Sequence, residues 1–153
     1  ISLYEKASDD IPESYPEIVY CRLMMKQARA ARDAAREALT HCPDAAETYY
    51  YAAMANLAGR DDYPPKLLER ATEQLIKAWS IDPKLHYCYL AICIAHLYND
   101  QSFRIPNEIM ELVRIRQEHK IDLEALTSLS HVLGIEKRDG RTISFTLSHI
   151  KFL

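Results

Sequence analysis

From Lys66 to Ser80 the apolar residues Leu67, Leu68, Ala71, Leu75, Ala78 and Trp79 recur three and four positions apart. That spacing lays one apolar stripe along a helix, with charged residues on the other side. The same reading carries along most of the chain. Pro16 suits a first helical turn. No glycine or proline interrupts the Ala-, Arg-, Leu- and Met-rich run after it, so one long helix is expected over 16–41. Pro43 closes it, because the residue before a proline is pushed out of the helical region. A second helix spans 45–58 and stops at Gly59 and the turn-rich GRDDYPP. Pro83 ends the helix that began at Lys66. Residues 84–98 are apolar almost all round, which predicts a helix buried on several sides. Pro106 opens a fifth helix running to about His119, and a sixth covers Leu123–Leu133.

The two ends are less regular. Residues 1–15 form a polar N-terminal extension with one short apolar cluster. KRDGRT, 137–142, reads as a turn. TISFTLSHIKFL alternates apolar and polar at first, as a strand does, yet it also places Ile143, Leu147 and Ile150 at helical spacing. A last helix is expected there, because a lone hairpin is marginal in water. The fold class is therefore all-α, with six to seven helices in a single domain over 16–153. After the long helix come pairs over 45–80, 84–119 and 122–152.

A shift of 40 residues superposes parts of the chain on one another. HCP at 41–43 falls on IDP at 81–83 and IDL at 121–123. Tyr49 falls on Tyr89 and Leu129, Ala52 on Ile92 and Val132, Ala53 on Cys93 and Leu133, and Ala55 on Ala95 and Ile135. Leu57 falls on Leu97, although the third copy has Lys137. One helix pair cannot bury its apolar faces alone, so stacked pairs are expected to cover one another. Stacking also accounts for Tyr49, Tyr50 and Tyr51, which point about 100° apart on a helix and cannot share one face. One would pack inside its own pair, one against the preceding helix, and one on a curved open face.

The run AETYYYAAMANLAG…LLERATEQLIKAWSIDP resembles a tetratricopeptide repeat. That pattern has an aromatic early in the first helix and a small residue four later. The second helix then carries small, bulky and small residues, and proline marks the exit. Tyr49, Ala53, Ala71, Leu75, Ala78 and Pro83 fill those places. Ala31, Ala38 and Pro43 fit the second helix of an earlier unit. The match is good over 44–83, moderate over 31–43 and 84–98, and weak beyond 105. Two departures stand out. The spacing is 40 rather than about 34 residues, and residues 16–41 show no turn between two helices. The resemblance implies a right-handed array of antiparallel helix pairs, an α-solenoid, whose concave face is lined by the first helix of each pair. Mapped here, that face carries Glu47, Tyr50, Met54, Leu57 and Ala58, continued by Tyr87, Leu90, Ile94, Leu97 and Tyr98. It is apolar and aromatic, suited to an amphipathic helix or an apolar peptide. The competing reading is that a short array folds these residues into its own core, around the tail at 142–153. Some members of the family clamp a carboxyl-terminal tail with Lys, Asn and Arg. The equivalent places here hold Tyr50, Met54, Tyr87, Leu90 and Ala91, so binding of that type is not expected.

Composition narrows the picture further. Of 153 residues, 48% are hydrophobic and 27% charged, ordinary values for a globular domain with a proper core. The net charge of −3 gives no overall pull toward nucleic acid or a membrane, and there is no apolar run of about 18 residues. Cys21, Cys42, Cys88 and Cys93 show no C-x-x-C spacing, so free thiols in a reducing, cytoplasmic setting are expected. The chain opens on Ile1, and the expectation is a domain excised from a longer protein.

Candidate chemistry is thin. Lys26, Arg29, Arg32 and Arg36 form a basic stripe that could meet acidic protein or RNA phosphates, but Asp33 and Glu37 lie beside it and a solvated face is favoured. His86, Cys88, Cys93 and His96 crowd one helix. Cys93 and His96 could share a metal, yet only two ligands converge and packing of a buried thiol is favoured. Glu69 and Glu73 read as a surface pair near Lys66 and Lys77. There is no nucleophile elbow, no phosphate-cradling glycine loop and no H-E-x-x-H; Gly59, Gly134 and Gly140 are the only glycines. No catalytic activity, cofactor or metal is expected. The function expected is a protein–protein interaction scaffold that binds a protein or peptide partner through the helix-lined groove. The alternatives are an RNA-binding array using the basic stripe, and a structural or dimerising spacer for a catalytic domain elsewhere in the parent chain.

Overall fold

A computed structural model describes residues 14–135, together with the backbone of a two-residue ladder beyond them. Among the described residues there are seven helices: α1 Tyr15–Met24, α2 Ala28–His41, α3 Ala46–Leu57, α4 Pro65–Ile81, α5 Tyr87–Asp100, α6 Asn107–Gln117 and α7 Leu123–Leu133. Strand β1, Lys137–Arg138, pairs antiparallel with β2, Arg141–Thr142, so Lys137 faces Thr142 and Arg138 faces Arg141. The reversal agrees with a turn at KRDGRT. Thr142 lies in a strand rather than at the start of a helix, and the helix expected beyond it lies outside the described residues. So does the extension at 1–13, whereas Tyr15 already belongs to α1.

The long helix expected over 16–41 is two helices. Its break falls at Met25–Gln27, where no glycine or proline announces it. Lys26 takes the left-handed region at φ 59°. Its N–H bonds the Leu23 carbonyl (3.0 Å), and the next N–H, of Gln27, bonds that of Arg22 (2.9 Å). This doubled closure satisfies the orphan carbonyls of a helix end, with lysine in the place usually held by glycine. Gly134 ends α7 in the same way, with Ile135 N–H on the Ser130 carbonyl at 2.9 Å. Ser102 (φ 60°) does so after α5, with Phe103 N–H on the Tyr98 carbonyl at 2.9 Å.

The helices associate in chain order. α1 packs with α2, α3 with α4, and α5 with α6. Each pair runs antiparallel, and one contact shows it in each case. Tyr15 at the start of α1 stacks on His41 at the end of α2, with centroids 4.3 Å apart. Lys77 near the end of α4 sits over the ring of Tyr49, near the start of α3, at 5.9 Å. Arg116 at the end of α6 sits over Tyr89 at the start of α5, at 4.4 Å. Tyr49 and Tyr89 are the residues that a shift of 40 superposes, so the two pairs place a cation on the same ring. Ala31, Ala35 and Ala38 form the buried stripe of α2, and these small side chains let α1 and α3 come close to its backbone.

α5 is the centre of the molecule. Every residue from Tyr87 to Tyr98 is buried, as the absence of a polar face predicts. α4, α6 and α7 all touch it. At this density, truncating a fully buried Leu90 or Leu97 would cost about 2–5 kcal/mol. α7 has a different place: it reaches α1, α3 and α5, the first helix of each pair.

Candidate functional site

The three adjacent tyrosines take three neighbours. Tyr49 turns to its own pair, donating to the Pro43 carbonyl at 2.7 Å beneath Lys77. Tyr51 leans on Tyr20 of α1 (5.5 Å, tilted 43°). Tyr50 stacks on Tyr87 of α5 (4.5 Å, 27°). Tyr50 lies in the second turn of α3 and Tyr87 is the first residue of α5, so the stack joins the N-terminal parts of the two helices. Lys84 reinforces the junction through an ion pair with Glu47.

The face mapped from the resemblance is not open. Of its ten residues, Tyr50, Met54, Leu57, Ala58, Tyr87, Leu90, Ile94, Leu97 and Tyr98 are buried in the core, and Glu47 is half-buried in its ion pair. Among the described residues, α7 lies across the first helices of the pairs, and α4 and α6 flank α5.

What stays accessible on this inner side is a cleft of about 240 Å³ between α1, α3 and α7. Tyr20 and Met24 supply one wall, Tyr50, Tyr51 and Met54 the floor, and Ser128, Leu129 and Val132 the far wall. His86, just ahead of α5, closes one end. None of the nine carries a formal charge at neutral pH. Burial lowers the basicity of His86, with nearby Lys84 adding to the effect against the opposing charge of Glu47. Burial, helped by the charge of Glu17, pushes the Tyr51 hydroxyl up to about 12, so it stays protonated. Tyr20 is 39% and Met24 51% exposed, and the two lie four residues apart on one side of α1. Tyr50 and Met54 are the two mapped residues that keep an edge on the cleft. Tyr20, Met24, Tyr51, Leu129 and Val132 escaped the sequence reading. Tyr20 and Met24 are four apart on one helix, but the rod expected there drew attention to its basic side instead.

That basic side is mostly engaged in holding the fold. Lys26 donates from its ammonium to the His131 carbonyl at the end of α7. Arg32 donates to the carbonyls of Ala55 (3.1 Å) and Ala58 (3.0 Å) at the end of α3. These are the positions where a positive charge meets the negative end of a helix dipole. Arg36 pairs with Asp33, and Arg29 is exposed. A second depression, about 350 Å³, lies between α1 and α2 and includes Arg22, Asp33 and Glu37 in its lining. Those groups engage partners of their own: Arg22 bonds Gln27 at 2.9 Å, Asp33 pairs with Arg36, and Glu37 lies 3.5 Å from His41.

None of the four cysteines forms a disulfide. Cys88 and Cys93 are buried in α5, and burial raises both, Cys88 to about 11, which leaves them unreactive at neutral pH. No group of three His, Cys, Asp or Glu among the described residues could hold a metal ion. No described helix is long and apolar enough to cross a membrane. Against known proteins, no family model, no curated protein and no solved structure matches this chain.

Proposed function

We propose that this chain is an interaction module of the tetratricopeptide type. It is a right-handed array of antiparallel helix pairs that takes a peptide segment of a protein partner into the cleft between α1, α3 and α7, and it performs no chemistry itself. One observation carries the reading: the cleft is a concave, charge-free, aromatic and methionine-lined surface beside exposed Tyr20 and Met24. Antiparallel pairing, the stack joining the N-terminal parts of α3 and α5, and a cation placed on Tyr49 and on Tyr89 support the array. Cysteines without disulfides suit a cytoplasmic setting. Use of the basic stripe for RNA has less support, because Lys26 and Arg32 are occupied by helix ends.

A peptide library displayed against the chain tests this. Selected peptides should share an apolar anchor and lose at least about tenfold in affinity, roughly 1.4 kcal/mol, toward Met24→Glu or Tyr20→Glu. Both sites are exposed enough for the variants to fold. Selected peptides that bind both variants unchanged would place recognition elsewhere on the surface.

A further inference from the structure

The chain leaves α7 beside the cleft. Leu129 and Val132, in the second half of α7, form its far wall with Ser128. The next residues stay at that end. Ile135 is fully buried, and its N–H bonds the Ser130 carbonyl at 2.9 Å. Lys137 follows two residues on, at most about 7 Å away. The β1–β2 ladder then turns the chain back, because Thr142 pairs with Lys137 across about 5 Å. Residues 143–153 therefore set out from within roughly 12 Å of Ile135. Those eleven residues cover about 16 Å as a helix and at most about 40 Å extended. Either length reaches the cleft wall.

The chemistry of the segment matches the cleft. ISFTLSHI, 143–150, contains no Asp, Glu, Lys or Arg, and no residue lining the cleft carries a formal charge at neutral pH. Neither side has to strip water from a charge when the two meet. Ile143 and Leu147 share a face in a helix, together with Ile150, and they share a face in a strand, together with Phe145. The same two anchors are thus presented in both conformations. A cleft of about 240 Å³ is small for a whole ligand and suits side-chain anchors of this kind. The exposed flanks of Tyr20 and Met24 are the apolar surface they would remove from water.

We propose that residues 143–153 dock in the cleft between α1, α3 and α7, as an internal ligand that a partner peptide must displace. The proposal rests on the peptide-binding reading above and adds the regulation of that same cleft. The covalent tether singles out this occupant, because it holds the segment at an effective concentration of about millimolar. The same segment of a second copy has the same chemistry and lacks that advantage. A partner binds more weakly in proportion to the time the cleft is filled.

The test uses the full chain. Leu147→p-benzoylphenylalanine sets a photo-cross-linker on the segment, and irradiation in dilute solution joins it to neighbouring C–H bonds, those of methionine above all. Mass spectrometry should place the product within one chain, on Tyr20, Met24, Tyr51, Leu129 or Val132. The double variant Ile143→Glu, Leu147→Glu should bind library-selected peptides about tenfold more tightly than the wild type, as for a cleft otherwise empty about a tenth of the time. Its far-ultraviolet spectrum should not change, and Ile143→Ser, Leu147→Ser replaces it if it fails to fold. Cross-links only between chains, only outside the cleft, or none at all would overturn the proposal. Equal peptide affinity of the wild type and the double variant would overturn it too. If the library yields no peptide, the cross-link still decides: a product in the cleft supports the internal ligand while the partner reading fails.

Discussion

Tyr50 of α3 lies against Tyr87 of α5 with ring centroids 4.5 Å apart and planes 27° from parallel. Both rings are buried, and together they join the N-terminal parts of two helices 37 positions apart in sequence. An offset stack of this kind is worth about 1 kcal/mol beyond the area it buries. Tyr50→Ala should therefore destabilise the chain by about 3–5 kcal/mol in urea titration, most of it lost packing. A cycle with Tyr50→Leu, Tyr87→Leu and the double variant should return about 1 kcal/mol of coupling. A coupling of zero would mean that the two rings pack independently.

Lys26 holds a left-handed backbone and also caps the end of α7. Those two roles can be separated. Lys26→Ala keeps the strained backbone and removes the ammonium, so it should lose about 1 kcal/mol. Lys26→Gly loses the same cap but relieves the left-handed strain, worth about 1 kcal/mol. The glycine variant should thus be more stable than the alanine variant. The reverse order in thermal unfolding would contradict a left-handed residue at the α1–α2 turn.

Gly59 and Gly134 both have positive φ, at 62° and 74°, yet they differ in surroundings. A Cβ on Gly59 would meet the Ala28 Cβ at 3.0 Å, whereas one on Gly134 would meet nothing within 4 Å. Gly134→Ala should cost about 1 kcal/mol, the backbone strain alone. Gly59→Ala adds overpacking between α2 and the loop after α3, and should cost about 2–4 kcal/mol. Equal costs in chemical denaturation would show that the close approach to Ala28 relaxes freely.

Acid should weaken the fold in two windows. Burial sets His86 below its ordinary 6.5, so the unfolded chain binds a proton there before the folded chain does. Stability is then full above 6.5 and falls as pH drops from 6.5 toward the folded value. The hydrogen bond from Lys84 sets Glu47 below its ordinary 4.5, so its contribution holds above 4.5 and disappears as pH falls through the folded value. His86→Gln should flatten the melting temperature as pH falls below 6.5 and leave the fall below 4.5 in place. Glu47→Gln should do the opposite. A His86 signal titrating above 6.5 by NMR would reverse the first sign.

The periodicity of apolar residues was enough to locate the helices. Stripes three and four apart, bounded by Pro43, Gly59, Pro83 and Pro106, place α3 to α7 within three residues of their observed ends. The uniform apolarity of Tyr87–Tyr98 also foretold its burial. These are local properties, because a helix must bury its stripe and a proline must interrupt the backbone bonds wherever they occur. The break at Lys26 is different. Its bonds to Arg22 and Leu23 are available to many sequences, and the ammonium that steadies it reaches His131, 105 residues away. Which face of α3 remains accessible was equally out of reach of a local reading. Tyr50 and Tyr51 are neighbours of the same type, and only the placement of α5 and α7 sends one ring into the core and leaves the other beside the cleft. Local spacing determines which surfaces must be covered, whereas contacts between distant segments decide what covers them and where the cover ends.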